Sequence, residues 1–221
     1  MSISMSVSIA VAAHPWLDVG AFVMRLPRRC ADVPVSQAIA ALAEPGAVAP
    51  VASSDEVRGA VRDLLRHGGY KPSGRSKPAS EYLVAAAGKG EFPRINAMVD
   101  ACNVVSLHSG LPISLVDLDR VERGALAIQI APAGTAYVFN PSGQTIDASG
   151  LVCLFDAHGP TGTPVKDAQR TKTHDDTVAG LAIVWGTRAL AGRTAETTRW
   201  YRALVGTLDA RIEDVTLAAS P

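Results

Sequence analysis

The chain has few of the residues that build stapled or metal-centred proteins. Its 221 residues include three cysteines, Cys30, Cys102 and Cys153. The number is odd and the spacings are wide, which excludes a disulfide framework and any C-x-x-C or Cys/His zinc set. No metal and no cofactor are expected. Reduced thiols fit a reducing compartment, so the expected location is the cytoplasm. Charged residues make up 19% and aromatics 5% of the chain. Formal net charge is zero, which excludes a protein that coats nucleic acid through a global positive excess; an RNA contact would need a local patch. No segment approaches the ~18 consecutive apolar residues of a membrane span. The first residues lack the basic start of an export signal, so neither export nor insertion is expected.

Several site signatures are also missing. There is no G-x-S-x-G elbow, no H-E-x-x-H and no EF-hand loop. Gly159-Pro160-Thr161-Gly162-Thr163 precedes Lys166 without phosphate-loop spacing, and Gly88-Lys89-Gly90 is too short for a dinucleotide fingerprint.

What is present is an α/β pattern around a sizeable apolar fraction, 48% of the chain. Ile3, Met5, Val7, Ile9 and Val11 alternate with small polar residues, a strand pattern. A second strand is expected over 21–26, a helix over 36–43 and a short strand over 47–52. Ser53 and Glu56 form a capping-box pattern before Val57, Val61, Leu64 and Leu65, and Gly68-Gly69 stops that helix. Ser80 is placed to cap a short helix reaching residue 87. A longer helix over 95–108 has Ile95, Val99, Cys102 and Val105 as its expected buried stripe. Strands are expected over 125–130, 135–139, 151–155 and 178–185, with a loop over 156–176. Thr194 is placed to cap a final helix ending near Leu208.

Three polar constellations stand out. Arg94, Asn96, Asp100 and Asn103 put poor helix-interior residues on one helical side. Such a face either meets a polar ligand or ties the helix to a loop through internal hydrogen bonds. Lys166, Asp167, Gln169, Arg170, Thr171, Lys172 and His174 occupy a loop entering a buried strand, where ligands are often held; for Gln169 and Lys172 a solvated loop is the simpler reading. Arg58, Arg62, Arg66, Lys71, Arg75 and Lys77 form a basic stretch interrupted by Asp63 alone. It is either a phosphate-contacting patch or a solvated face.

The segment Phe92-Pro93-Arg94-Ile95-Asn96-Ala97-Met98-Val99-Asp100-Ala101-Cys102-Asn103-Val104-Val105-Ser106-Leu107, then Gly110-Leu111-Pro112-Ile113-Ser114 and Asp117-Leu118-Asp119, resembles the B3/B4 domain, the tRNA-editing module of the phenylalanyl-tRNA synthetase beta chain. The likeness extends through Lys71-Pro72-Ser73, Ser80-Glu81-Tyr82-Leu83 and Lys166–Thr173, covering roughly residues 70 to 200. It implies one α/β protein of mixed sheets flanked by helices, with residues 1–69 as an N-terminal α/β part and 70–221 as the B3/B4 core. It further implies binding of the aminoacylated 3′ end of tRNA, without a membrane or an obligatory protein partner.

The chain departs from the synthetase pattern at three places. Cys102 stands where the pattern has Thr, and Ser114 where it has His. Lys166–Thr173 replaces a Gly-rich segment with its carboxylate. The resemblance implies a pocket position for Asn103 and, for a free-standing relative, removal of mischarged amino acids by ester hydrolysis. Such hydrolysis needs a placed water and charge stabilisation. Asp167 is the expected water-orienting carboxylate, with His174 as another base and Lys166 as oxyanion or phosphate partner. Arg94, Asn96, Asn103, Ser114 and Arg170 are the expected substrate-binding groups. Two alternatives stay open: an RNA-binding module without catalysis, and a small-molecule binder or enzyme on the same fold.

Overall fold

A computed structural model describes residues 7–122, 124 and 126–220. Ten strands and five α-helices are found among them: β1 (Val7–Val11), β2 (Leu17–Arg25), α1 (Gln37–Leu42), α2 (Asp55–Arg66), α3 (Ala79–Ala87), α4 (Ala97–Ser109), β3 (Ile113–Asp117), β4 (Ala127–Ile130), β5 (Ala136–Val138), β6 (Thr145–Asp147), β7 (Val152–Asp156), β8 (Gly159–Gly162), β9 (Ala179–Thr187), α5 (Arg193–Gly206) and β10 (Arg211–Ala219). Eight strands form one sheet in the order β3-β9-β2-β10-β1-β4-β7-β8, and β5 with β6 forms a separate hairpin. β1 pairs in parallel with both β10 and β4, and the other pairs are antiparallel. The expected α/β class with mixed sheets is the observed one. Strands β1 and β2, from the N-terminal 69 residues, sit inside the sheet next to β10, β4 and β9.

Strand β9 is buried at every position. Its alternate residues meet different neighbours, and two of its glycines set the distance. A Cβ on Gly180 would stand 2.8 Å from Leu115 Cδ1 and 3.0 Å from Met98 Sδ, and one on Gly186 would overlap Thr194. The absent side chains let α4 and α5 lie close on the sheet. Tyr201 of α5 completes that face, edge-on to Phe22 at 5.0 Å. Helix α2 buries Val57, Val61, Leu64 and Leu65 and touches β9.

The sheet curls until its outermost strands meet. Ser114 on β3 donates its hydroxyl to Thr163 O, just past β8, at 3.1 Å. A Cβ on Gly162 would lie 3.0 Å from that of Ser114. One residue pair further, Val116 bridges to Lys172.

Several local expectations are corrected. Residues 47–52 form no strand: Pro45-Gly46 and Pro50 break the run, and Val48 is 92% exposed. Ser54, not Ser53, caps α2 through Val57 N–H, so Glu56 is not in a capping box. Ser80 lies inside α3, which starts after Pro78, and Gly192 rather than Thr194 occupies the N-cap of α5. Ile95 precedes α4 and is 65% exposed instead of buried. Strands β3, β6, β8 and β10 were not expected: β6 has three residues, β8 is GPTG, without β-branched alternation, and β10 is largely exposed. Ile3 and Met5 of the expected first strand lie outside the described residues.

Candidate functional site

The seam between β3 and the chain after β8 is held by Asp167. Its Oδ2 accepts the Leu115 N–H at 3.1 Å and its Oδ1 accepts the Thr163 N–H at 3.3 Å. The loop from Thr163 to Asp167 is tight because the Thr163 hydroxyl takes the N–H groups of Val165 and Lys166, at 3.3 and 3.1 Å. That turn directs the Asp167 side chain into the seam. Ser114 sits beneath it, its Oγ accepting Trp185 Nε1–H at 2.9 Å.

Burial raises the Asp167 carboxyl to about 6, against the opposing pull of Ser114, the Leu115 and Thr163 N–H groups and Lys172. Solvent nevertheless reaches part of the residue. Asp167 is thus crowded by protein yet in contact with solvent at the seam. Cys102 on α4 lies near enough that burial first, then the Asp167 charge, pushes its thiol to about 12. It is therefore a neutral thiol, not a thiolate nucleophile. The Tyr201 hydroxyl is buried beside Cys102, and burial above all raises its pKa well above the ordinary value.

Cations gather on the outer side of this loop. Lys166 Nζ stands 3.9 Å above the Phe139 ring, and Lys172 Nζ donates to Phe139 O at 2.5 Å. Tyr137 pins the same loop by hydrogen bonds to Thr163 Oγ1 at 2.9 Å and to Lys166 O at 2.5 Å. Burial lowers the Lys166 ammonium, and the neighbouring charges of Arg75 and Lys172 lower it further. Three positive groups thus converge, and neither Lys166 nor Arg75 has a carboxylate in ion-pair contact among the described residues. Sequence reasoning assigned no role to Tyr137 or Phe139 and read Lys172 as solvated. The contacts span about 30 residues of sequence, and no local pattern marks them.

The other expected site residues divide sharply. Arg94 donates to Asp100 Oδ2 at 3.0 Å, Ile95 N–H to Asp100 Oδ1 at 2.7 Å, and Asn96 caps α4 by accepting Val99 N–H at 3.0 Å. This trio ties the helix start to its preceding loop. Asn103 is half-buried and makes no hydrogen bond to a described residue. Arg94 and Leu107 border a cavity of about 820 Å³ between α4, the α3 end and the 43–53 loop; Lys166 and Asp167 do not line it.

Arg170 does not face Asp167. It forks onto Asp156 at 2.9 and 2.6 Å and onto Gly159 O and Pro160 O, because the Asp156 side chain is fully buried and needs a counter-charge. His174 faces Asp117 at 3.2 Å, at the far end of β3, within a turn closed by Thr177. The basic stretch is not a continuous positive face. Arg58 pairs with Asp55, Arg62 forks onto Glu81, and Arg66 pairs with Asp63. Lys71, Arg75 and Lys77 remain exposed, without an ion pair among the described residues. No group of His, Cys, Asp and Glu among the described residues is arranged to hold a metal. No described helix is long and apolar enough to cross a membrane.

The three places where the chain departs from the synthetase pattern, Cys102, Ser114 and the 166–173 segment, meet in space around Asp167. A family model described as the B3/4 domain matches residues 73–198. No curated protein matches the chain. A crystal structure of an N-terminal fragment of the phenylalanyl-tRNA synthetase beta-subunit from Pyrococcus horikoshii is similar in fold, with a TM-score of 0.56 at 8% identity. The match covers 96% of this chain and 52% of that one, so the chain spans about half the length of that fragment.

Proposed function

The chain belongs to the B3/4 domain family, and on that premise we propose that it binds the aminoacylated 3′ end of a tRNA and hydrolyses the ester of a mischarged one. The observation that supports this reading is the convergence at one seam of Asp167, Ser114 and Cys102 with a rim of three cations, Arg75, Lys166 and Lys172. The seam offers a carboxylate that is half-ionised near pH 6 and ionised above it. Each oxygen of Asp167 holds one backbone N–H and has a further lone pair for a water proton. In the proposed step that water attacks the ester carbonyl carbon and its proton passes to Asp167. Lys166 stabilises the oxygen that gains charge, and the ribose hydroxyl leaves as the C–O bond breaks, taking the proton back. Neutral Cys102 and Tyr201 form the inner wall.

Purified protein is expected to release amino acid from at least one of a panel of mischarged tRNAs, and Asp167→Asn is expected to slow release by about 10²-fold or more. Release should rise with pH through about 6 and then level off. A panel that stays intact at all pH values would sink the hydrolase reading. One observation favours a second reading, RNA binding without turnover: both Asp167 oxygens already serve the seam. Tight binding of intact mischarged tRNA in the same assay would select it.

A further inference from the structure

A recess lies between the start of α2 and the start of α3, with a volume of about 460 Å³. Its polar wall holds Ser53, Ser54, Arg58, Lys77 and Ser80, and its apolar wall holds Val61, Val84 and Ala85. Ser80 is only 2% exposed, lines the recess, and its hydroxyl makes no hydrogen bond to any described residue. That hydroxyl is therefore free to bond a group bound in the recess. Gly110 lets the end of α4 pack closely on the recess wall, since a Cβ there would stand 2.7 Å from Ser53 Oγ and 2.9 Å from Val57 Cγ1.

Four charged groups face this space: Asp55, Arg58, Lys77 and Glu81. Glu81 is neutralised by the fork from Arg62 at 2.6 Å. Asp55 and Arg58 form an exposed pair at 3.2 Å, a type of pair that contributes little and that a stronger anion can replace. Lys77 has no ion-pair partner among the described residues. The recess therefore offers a free ammonium, an exchangeable guanidinium, free hydroxyls and an apolar side in a volume within the usual range for a small ligand. That set fits a ribose-phosphate unit: cations for the phosphate, Ser80 for a sugar hydroxyl, Val61, Val84 and Ala85 for the ring faces.

Position selects a nucleic acid over a free nucleotide. Ala79 N–H donates to Pro164 O at 2.9 Å, fastening the start of α3 to the loop that carries Lys166 and Asp167. Arg75 belongs to the cation cluster of that loop, and Lys77, two residues on, belongs to the recess. Two residues span at most about 7 Å, so one strand can pass from the first group of cations to the second. We infer that the recess lined by Ser53, Lys77 and Ser80 is a subsite for a nucleotide of single-stranded RNA upstream of the esterified end. The inference rests on the RNA reading of the Asp167 seam and adds a site to it.

The test measures binding of an unacylated four-nucleotide single-stranded RNA to the full chain by fluorescence anisotropy across a salt series. Ala85→Phe fills the recess from an exposed helix position and is expected to weaken binding about tenfold or more without lowering the melting temperature. Lys77→Ala should flatten the slope of log K against log salt by about 0.7, the contribution of one single-strand phosphate contact. Ser80→Ala should weaken binding with the slope unchanged. On acylated RNA the three variants should raise KM, whereas Asp167→Asn should lower kcat. If wild-type protein binds the RNA and Ala85→Phe binds it equally well, the subsite is overturned and the Asp167 reading stands. If mischarged tRNA is deacylated but the oligonucleotide does not bind, the subsite falls alone. If neither deacylation nor RNA binding occurs, both fall.

Discussion

Asp167 makes this protein lose stability as the solution leaves mild acid, and Asp167→Asn isolates the effect. The folded carboxyl titrates at about 6 against an ordinary value of 3.8. Below the unfolded pKa both states are protonated and the residue contributes its full stability. Between about 4 and 6 the unfolded chain releases its proton while the folded chain keeps it, so stability falls with rising pH until the folded pKa is passed. A shift of about two units corresponds to about 3 kcal/mol at most. Solvent reaches part of the side chain, which reduces the expected loss to roughly 1–3 kcal/mol.

Other carboxylates pull the opposite way, Asp32 and Asp147 among them, because hydrogen bonds hold their pKa values low. The measurement is therefore the difference between wild type and Asp167→Asn, from urea unfolding at half-unit steps from pH 3.5 to 7.5. Asparagine keeps one acceptor oxygen for the seam, adding a pH-independent offset. Wild type should decline relative to the variant between pH 4 and 6.5 and run parallel to it above. A difference that stays flat over that window, or wild type gaining on the variant, would refute the placement of an ionisable carboxyl in a crowded seam.

Two further perturbations test the scaffold around the site. Arg170→Ala should destabilise by about 3 kcal/mol or more, because it leaves the fully buried Asp156 side chain without its cation. Burial raises the Asp156 carboxyl, but Arg170 and the Glu122 and His158 N–H groups outweigh that and hold it below 3.8. Its stabilisation is therefore present above about pH 4 and lost as pH falls, and the Arg170→Ala variant should lose that acid dependence in denaturant titrations. Gly68→Ala should cost about 1–3 kcal/mol, measured by calorimetry. The added Cβ would overlap Gly150 O and stand 2.7 Å from Ile130 Cγ2, and backbone cannot step aside.

The elements with strong local signatures were legible. Helix α2 carries its stripe, Val57, Val61, Leu64 and Leu65, where the period puts it, and β9 is an uninterrupted apolar run that is buried throughout. Strands β8 and β10 were not legible, since GPTG has no strand propensity of its own and forms one only because β7 offers hydrogen bonds. For Asn96 and Asp100 the sequence left two readings, a ligand face or a helix tied to its loop; the hydrogen bonds at the start of α4 match the second, a distinction that depends on where α4 begins. Arg170 looked available and is bonded to Asp156, fourteen residues earlier in the chain.

Sequence alone determined the class of the protein, its principal helices, the family motif along α4 and β3, and the lysine–aspartate segment as a place to look. These are properties of local periodicity and residue type. Only the tertiary structure decided that the outer strands of the sheet meet, and hence that Asp167, Ser114 and Cys102 share a seam with Lys166, Lys172 and Arg75 around it. The physical reason is that a carboxylate's role is set by what surrounds it. Burial raises the Asp167 pKa to about 6 against the Leu115 and Thr163 N–H groups and the Ser114 hydroxyl, which lower it, and Ser114 and Leu115 arrive from a strand that is distant along the chain.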